Sequence, residues 1–387
     1  MPSTPLFASS IALASLVPIG AAHVGNDAND ANENSTGDSL PVVYTVPLVG
    51  QMGTDINAEL LEDIIEDVQE VQPDLLVFRL KAADIGTNRY IPTYDWKEAG
   101  KFEIAEYRAM VQDINTKLGH IDKVIWVEDS VGLSSLLPVS FERIYMSEDA
   151  RLYGLQNLHR MTQNWSDEDI REKMEAATVG KGRGFFESGG RGKYARVLGD
   201  AMIDPEALLS ANFVGREVIW LPNLDGIWTV DDSTEQVANF TATTAMDTMF
   251  IEDTVGSLED LVFVLGYREY DHNTQGDEIA EKYTERWRAT YERCKNTYED
   301  FQTDRGLGTT TDPVRILLAK RKMLEEVVKA MKKYSAVERR MSDEYGVSIN
   351  SLEFQIDSIK DQIRQMKDSQ RGGRSRGGSR GGTRLGG

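Results

Sequence analysis

The segment over residues 123–154 constrains the fold more than any other part of the chain. It begins with an apolar run at residues 124–127, passes small and polar residues at 129–132, and reaches a second apolar run at 143–146. An apolar run without turn residues is typical of a strand that is buried on both faces of a parallel sheet. We therefore predict a strand, a tight turn, a helix within residues 133–142 and a second strand.

A second unit of the same kind lies upstream. Residues 41–48 form an apolar run, residues 58–71 carry apolar side chains at helical spacing with acidic side chains between them, and residues 75–80 form the next apolar run. This order predicts a strand, an amphipathic helix and a second, parallel strand. The predicted fold class of the core is therefore α/β with a parallel sheet.

The residues of these two units resemble the ClpP/crotonase superfamily, and within it the serine proteases related to signal peptide peptidase A and NfeD. The resemblance is carried by VVYTVPLVGQM, LLVFRLKAADIG and VIWVEDSVGLSSLLPVSFERIYMSEDARLYGL, and it continues to about residue 270. It implies a ClpP/crotonase-like spiral of ββα units over residues 41–270. It also implies peptide hydrolysis by a serine nucleophile with a lysine base, or with His and Asp in the ClpP branch.

The nucleophile that this resemblance implies is altered in the sequence. Counting back from Glu142 places Gly132 at the nucleophile position, and glycine has no hydroxyl group. A register shift of two residues makes Ser134 the nucleophile, with Ser135 as its neighbour. Serines in such turns also act as helix caps or as small packing residues. A degenerate site and a serine nucleophile both remain open at this point.

Lys173 is the candidate general base, because it lies at about the distance downstream of Gly132 that the resemblance implies. It stands on an acidic segment, so a surface lysine in salt bridges is the alternative. His159 is a second candidate, and its position fits the ClpP branch only with an insertion. An alanine pair replaces the Gly-Gly turn of the oxyanion hole, which leaves backbone amides near Gly86 or Gly132 as the donors.

These features predict a protein with a degenerate catalytic apparatus that acts in binding or assembly, with a peptide or protein as its partner. The alternative is an active serine endopeptidase in which Ser134 or Ser135 attacks and Lys173 accepts the proton. A crotonase-type acyl-CoA enzyme is a third hypothesis, but the sequence lacks signs of an adenine-binding cleft. No His/Cys pair or Asp-rich loop has the spacing of a metal site, so we expect neither a cofactor nor a metal.

The N-terminal residues predict export. Residues 6–17 form a mild apolar run that ends in the small residues at 20–22, although no Lys or Arg precedes it. We assign residues 1–22 to a signal peptide and the Asn-, Asp- and Ser-rich residues 23–40 to a flexible linker. The mature chain is then expected in the periplasm or outside the cell, free or at a membrane surface, without a transmembrane segment.

The C-terminal part differs from the rest in charge. The chain has a net charge of −20, yet residues 313–387 carry 17 Lys and Arg against 9 Asp and Glu. We predict a helical extension over 271–311, a helical hairpin or coiled coil over 312–368, and a disordered Arg/Gly-rich tail over 369–387. The tail is expected to contact polyanions.

An apolar seam in the second of these helices has to be buried. Its residues follow steps of three and four: Ile349, Leu352, Ile356, Ile359, Ile363 and Met366. A lone helix cannot bury such a seam, so the helix is expected to fold back on the preceding helix or to pair with another chain. Pairing with another chain would give a homo-oligomer.

Overall fold

The computed structural model describes residues 40–84, 104–153, 155, 158, 166–215, 217–305 and 311–375. The predicted signal peptide, residues 23–39 of the predicted linker, Gly86, His159 and the end of the Arg/Gly-rich tail lie outside the described residues. Within the described part of the chain, no helix is both long enough and apolar enough to cross a membrane.

A parallel sheet forms the centre of the fold. Its long strands are β1 (Val42–Gln51), β2 (Leu75–Asp84) and β3 (Asp122–Gly132). They pair in parallel in the order β3-β2-β1, and their apolar side chains are buried on both faces of the sheet. Burial on both faces explains why the strands appear in the sequence as continuous apolar runs. The predicted α/β core with a parallel sheet is confirmed.

Short strands widen this sheet. β4 (Ile144–Met146) pairs with β3, β10 (Asp253–Thr254) pairs with β4, and β11 (Asp271–Asn273) pairs with β1, all in parallel. β5 (Arg151–Tyr153) pairs with the end of β3 and also runs antiparallel to β9 (Phe240–Thr241). The end of β3 is therefore held between β2 on one side and β5 on the other.

A small antiparallel sheet lies beside the core in the order β7-β6-β8. Its strands are β6 (Leu209–Val214), β7 (Glu217–Leu221) and β8 (Trp228–Asp231). Trp220 of β7 packs edge-on against Phe240 and Phe250, whose rings are stacked on each other. This aromatic contact attaches the small sheet to the core.

Two predictions about the segment after the first half of β3 are wrong. The sequence predicts a turn at residues 129–132, but β3 continues through Gly132 because β2 and β5 provide pairing partners there. The sequence also predicts a helix within 133–142, where the structure has two short 3₁₀ turns, Leu133–Leu136 and Pro138–Ser140. Pro138 lacks the N–H group that a longer helix would require at this point.

Helices cover the sheet. α1 begins after its N-cap Asn57, whose side-chain oxygen accepts a hydrogen bond of 2.9 Å from the backbone N–H of Leu60. Its apolar residues are buried and its acidic face is exposed, as the helical spacing predicts. The helices of this part are α1 (Ala58–Val71), α2 (Ile104–Lys117), α3 (Glu168–Ser188), α4 (Ala195–Ile203), α5 (Ala242–Asp247) and α6 (Leu258–Val264).

Four further helices form the C-terminal region, and they pack on the core and on one another. α7 lies against α1 and β1, and its aromatic side chains Tyr283, Trp287, Tyr291 and Tyr298 are buried. α10 packs along α8, so that the middle of its apolar seam is buried within the same chain. Assembly into a homo-oligomer stays a prediction. The four helices are α7 (Gln275–Gln302), α8 (Pro313–Lys333), α9 (Ser335–Tyr345) and α10 (Ile349–Ser375).

A largely buried polar network joins the C-terminal helices to the start of α1. Asn57 donates a hydrogen bond of 2.7 Å to the Tyr283 hydroxyl, and this hydroxyl donates one of 2.8 Å to Glu59 Oε2. Glu59 Oε1 accepts a hydrogen bond of 2.9 Å from the backbone N–H of Ser335, at the start of α9. Burial and the Glu59 carboxylate raise the pKa of Tyr283 well above its usual value, so the hydroxyl remains a donor.

A second contact fixes α9 to α2. Arg339 Nη2 donates to both carboxylate oxygens of Glu106, at 3.0 and 2.9 Å. The arginine side chain is largely buried, with 17% of its surface exposed, whereas that of Glu106 is more exposed. Charge-assisted hydrogen bonds of this kind are stronger than neutral ones. Two carboxylates, Glu59 of α1 and Glu106 of α2, therefore hold α9 in place.

Replacing Glu59 tests the polar network. We expect Glu59→Ala to lower the free energy of unfolding by about 1–3 kcal/mol, because it removes an ionised acceptor from two hydrogen bonds. Glu62→Ala, an exposed glutamate on the same helix, serves as the control and should change the value by less than about 0.5 kcal/mol. Urea unfolding followed by circular dichroism measures both. Equal effects of the two substitutions would contradict the role of the network.

Cys294, the only cysteine of the chain, reports on the contact between α7 and α8. Its side chain is buried, with Sγ 3.9 Å from the Val327 carbonyl oxygen, and burial raises the pKa of the thiol to about 11. At pH 8 only about one thiol in a thousand would then be ionised. We expect a disulfide reagent to modify Cys294 at least about a hundred times more slowly in the native protein than in urea. Similar rates in the two states would contradict the buried position.

Candidate functional site

The end of β3 carries the residues that the sequence places at the nucleophile position. Gly132 closes the strand with a φ of 83°, in the left-handed region that residues with a side chain rarely adopt. The backbone requires glycine here, which explains why no hydroxyl-bearing residue stands at this position. The first 3₁₀ turn follows at once and contains Ser134 and Ser135.

Three serines form a hydroxyl cluster at this point. The Oγ of Ser130 lies 3.0 Å from the Oγ of Ser134 and 3.2 Å from the Oγ of Ser135. All three side chains are completely buried. Buried hydroxyl groups are costly unless they are hydrogen-bonded, and within the cluster each one has a neighbour that can donate or accept.

The hydroxyl cluster also bonds to the backbone of the strands around it. The Oγ of Ser134 donates a hydrogen bond of 2.9 Å to the carbonyl oxygen of Val131. The carbonyl oxygen of Ala82, a second possible acceptor, lies 3.3 Å from the same Oγ. Ser135 donates to the carbonyl oxygen of Tyr153 at 3.0 Å. These acceptors belong to β3, β2 and β5, so the cluster links the ends of three strands. Within the described residues, none of these hydroxyl groups is hydrogen-bonded to a lysine or a histidine.

Lys173, the candidate base, lies in the first half of α3 and its side chain is exposed. No ion pair of Lys173 is found among the residues that the structure describes. The structure thus places the candidate base in solvent and the candidate nucleophiles in the protein interior.

The backbone donors of an oxyanion hole are also engaged elsewhere. Ala82 and Ala83, which stand where the resemblance implies a Gly-Gly turn, lie within β2 and pair with both β1 and β3. Their backbone groups belong to the sheet and cannot face a ligand. Of the two expected donor positions, Gly132 lies in β3 opposite Asp84 of β2, and Gly86 lies outside the described residues, as does His159.

A turn rich in glycine follows α3 and packs on the second 3₁₀ turn. A Cβ atom at Gly189 would lie 2.2 Å from the Val139 carbonyl oxygen, so the close contact requires glycine. Arg191 lies over the Phe250 ring at 4.7 Å from its centroid. Burial lowers the pKa of Arg191, and the nearby Glu252 opposes this shift. The turn therefore anchors the end of α3 to the core.

A groove between α2 and α3 is a feature that the sequence analysis missed. It has a volume of about 730 Å³, within the range of small-ligand sites. Ile104, Val111 and Phe185 provide apolar surface in it, and Asn115 of α2 donates a hydrogen bond of 3.0 Å to the Oγ of Ser188, which lines the groove. The signal available in the sequence was the glycine-rich second half of α3. Glycine is unfavourable within a helix, so several glycines there call for another explanation, such as a surface for binding.

Metal binding has no support in the described part of the chain. No group of three or more His, Cys, Asp or Glu side chains is placed there to hold a metal ion.

Comparisons with known proteins give a general likeness only. No family profile matches the sequence, and no curated protein sequence matches it significantly. Similar solved structures include the 1510-N membrane-bound stomatin-specific protease as a serine-to-alanine mutant, with 12% identity and a TM-score of 0.38 over 61% of this chain and 98% of that one. A lysine-to-alanine mutant of it in complex with a substrate peptide gives 10% identity and a TM-score of 0.36 over 64% and 99%.

A third solved structure belongs to the same group. It is the 1510-N membrane protease specific for a stomatin homolog from Pyrococcus horikoshii, with 11% identity and a TM-score of 0.28 over 58% of this chain and 78% of that one. Likeness at this level assigns neither a residue role nor an activity to the present chain.

Removing one hydroxyl of the cluster tests its structural role. We expect Ser134→Ala to lower the free energy of unfolding by about 1–3 kcal/mol, because carbonyl oxygens of β2 and β3 lose a buried donor. Ser369→Ala, at an exposed position of α10, is the matched control and should have an effect below about 0.5 kcal/mol. Urea unfolding measures both changes. A neutral Ser134→Ala would show that the hydroxyl group is not needed for stability.

Proposed function

We propose that this protein binds a peptide segment of a partner protein without hydrolysing it. The observation that supports the absence of hydrolysis is the burial of Ser130, Ser134 and Ser135, whose hydroxyl groups bond to each other and to backbone carbonyl oxygens. A serine nucleophile has to reach a carbonyl carbon and to give its proton to a base. Neither requirement is met where these hydroxyl groups lie.

Gly132 supports the same proposal from the backbone. Its positive φ shapes the exit from β3, and a serine at this position would be strained. The position that the resemblance assigns to the nucleophile therefore has a structural role. The preformed groove between α2 and α3 supplies a surface for a peptide that does not involve the hydroxyl cluster.

The alternative is an active endopeptidase with Ser134 or Ser135 as nucleophile and Lys173 as base. It requires the first 3₁₀ turn to open, so that a buried hydroxyl group comes within about 3 Å of the Lys173 amine. Such an opening would break the hydrogen bonds that join β2, β3 and β5. Export, assembly into a homo-oligomer and contacts of the Arg/Gly-rich tail with polyanions stay predictions.

A cleavage assay decides between the proposal and the alternative. The purified full chain is incubated with unfolded casein and with hydrophobic fluorogenic peptides, and products are followed by fluorescence and mass spectrometry. We expect no product above the level of the Lys173→Ala variant, because among the described residues no base is hydrogen-bonded to the serine hydroxyl groups at the end of β3.

Cleavage that is lost in both Ser134→Ala and Lys173→Ala, while circular dichroism shows that both variants are folded, would establish the endopeptidase. Lys329→Ala, an exposed lysine of α8, is the control for a loss of positive charge. Cleavage that survives in all three variants would come from a contaminant and would leave these residues without a catalytic role.

A further inference from the structure

Two glycines of α3 have no explanation in the packing of the residues that the structure describes. A Cβ atom added at Gly180 or at Gly184 would meet no atom within 4 Å, and both residues line the groove. At Gly182, between them, a Cβ atom would lie 2.3 Å from the Cδ1 of the buried Ile203 side chain, so the close packing of the core favours glycine there. A glycine within a helix costs about 1 kcal/mol relative to alanine. For Gly180 and Gly184, nothing inside the described protein offsets this cost.

An open glycine surface allows the backbone of another molecule to approach closely. Glycine is the residue found where a ligand or a second backbone has to come near. The partly buried side chain of Ile104 and the small exposed part of Phe185 line the same groove. The surface therefore suits a peptide that places its backbone over the glycines and apolar side chains against the helices.

The charges of the groove indicate what else this peptide carries. Arg108 of α2 and Lys181 of α3 line the groove, and both side chains are exposed. Neither makes an ion pair with any residue that the structure describes. Among the described residues, no aspartate or glutamate lines the groove, in a protein whose net charge is −20. Two unpaired cations beside an apolar surface are complementary to an apolar segment with carboxylate groups.

We propose that the groove between α2 and α3 binds an apolar peptide segment of a partner protein that carries carboxylate groups, with Arg108 and Lys181 selecting the acidic side chains. This rests on the proposed function and adds the surface and the chemistry of the partner. The backbone of the segment lies over Gly180 and Gly184. The proposed partner is a separate polypeptide, because no residue that the structure describes supplies carboxylates to Arg108 and Lys181.

The probe is a fluorescein-labelled peptide of about ten residues built from leucine, alanine and glutamate, and its binding to the full chain is measured by fluorescence anisotropy. A matched peptide has glutamine in place of glutamate. We expect the glutamate peptide to bind at least about fivefold more tightly than the glutamine peptide, and the difference to shrink at high salt because exposed charges are screened.

Charge reversal identifies the cations. We expect the double variant Arg108→Glu/Lys181→Glu to weaken binding of the glutamate peptide about tenfold or more, and to gain affinity for a matched lysine peptide. The control Lys329→Glu/Lys367→Glu reverses two exposed cations on α8 and α10, and it should change the affinity by less than about twofold. If the double variant binds the lysine peptide more tightly than the unaltered protein does, its loss of affinity for the glutamate peptide comes from the reversed charges and not from damage to the fold.

The glycines are tested by a change that should stabilise the protein. Gly184→Ala should raise the melting temperature, since alanine favours the helix and its Cβ has free space. We expect the same substitution to weaken peptide binding, and Gly184→Leu to weaken it further. A variant that is more stable and binds less tightly separates the binding role from a structural one.

Several results would overturn this proposal. They are no binding of the glutamate peptide, equal binding of the glutamate and glutamine peptides, or affinities that the groove variants leave unchanged. If the groove variants lower the melting temperature and leave peptide binding intact, a segment of the chain itself occupies the groove and the proposal is wrong. Cleavage of the bound peptide, followed by mass spectrometry, would contradict the proposed function alone and would leave the binding surface valid.

Discussion

Parallel pairing among β1, β2 and β3 is the constraint on which the rest of the structure depends. These strands are buried on both faces, so their backbone groups have to be satisfied by one another. The pairing brings the ends of β2, β3 and β5 together and thereby creates the buried position in which the serine hydroxyl groups meet. It also provides the surface on which α1 and α7 pack, and through α1 it positions Glu59, which holds the C-terminal helices.

Local signals in the sequence predicted α1 well. The helical spacing of apolar residues over 58–71 agrees with its observed bounds. The continuation of β3 could not be predicted in this way, because its partners Lys81 and Leu152 are distant in the chain. Residues 129–132 have the composition of a turn, and pairing on both sides overrides that preference.

The sequence predicted where the candidate site residues stand along the chain, but it did not predict which of them are buried and which are exposed. Counting residues located Gly132, Ser134 and Lys173, but the burial of the serine and the exposure of the lysine result from packing between distant segments. The groove was missed for a similar reason. Arg108 and Gly180 belong to helices separated by the length of β3, β4 and β5, and only the folded chain places them on one surface.

One irregularity of the sheet has a consequence for every comparison across this region. Between Leu80 and Lys81 the pairing with β3 shifts by one residue, so that Glu128 has no partner opposite and its carboxylate contacts Arg79 and Lys81 instead. The extra residue is absorbed as a bulge, so the pairing resumes with Asp129 opposite Lys81 and Ser130 opposite Ala82. Without the bulge, a strand of the same length would turn Ser130 to the opposite face of the sheet. A related strand that lacks the extra residue would keep that face, and it aligns with this chain only if a one-residue gap is placed at Glu128.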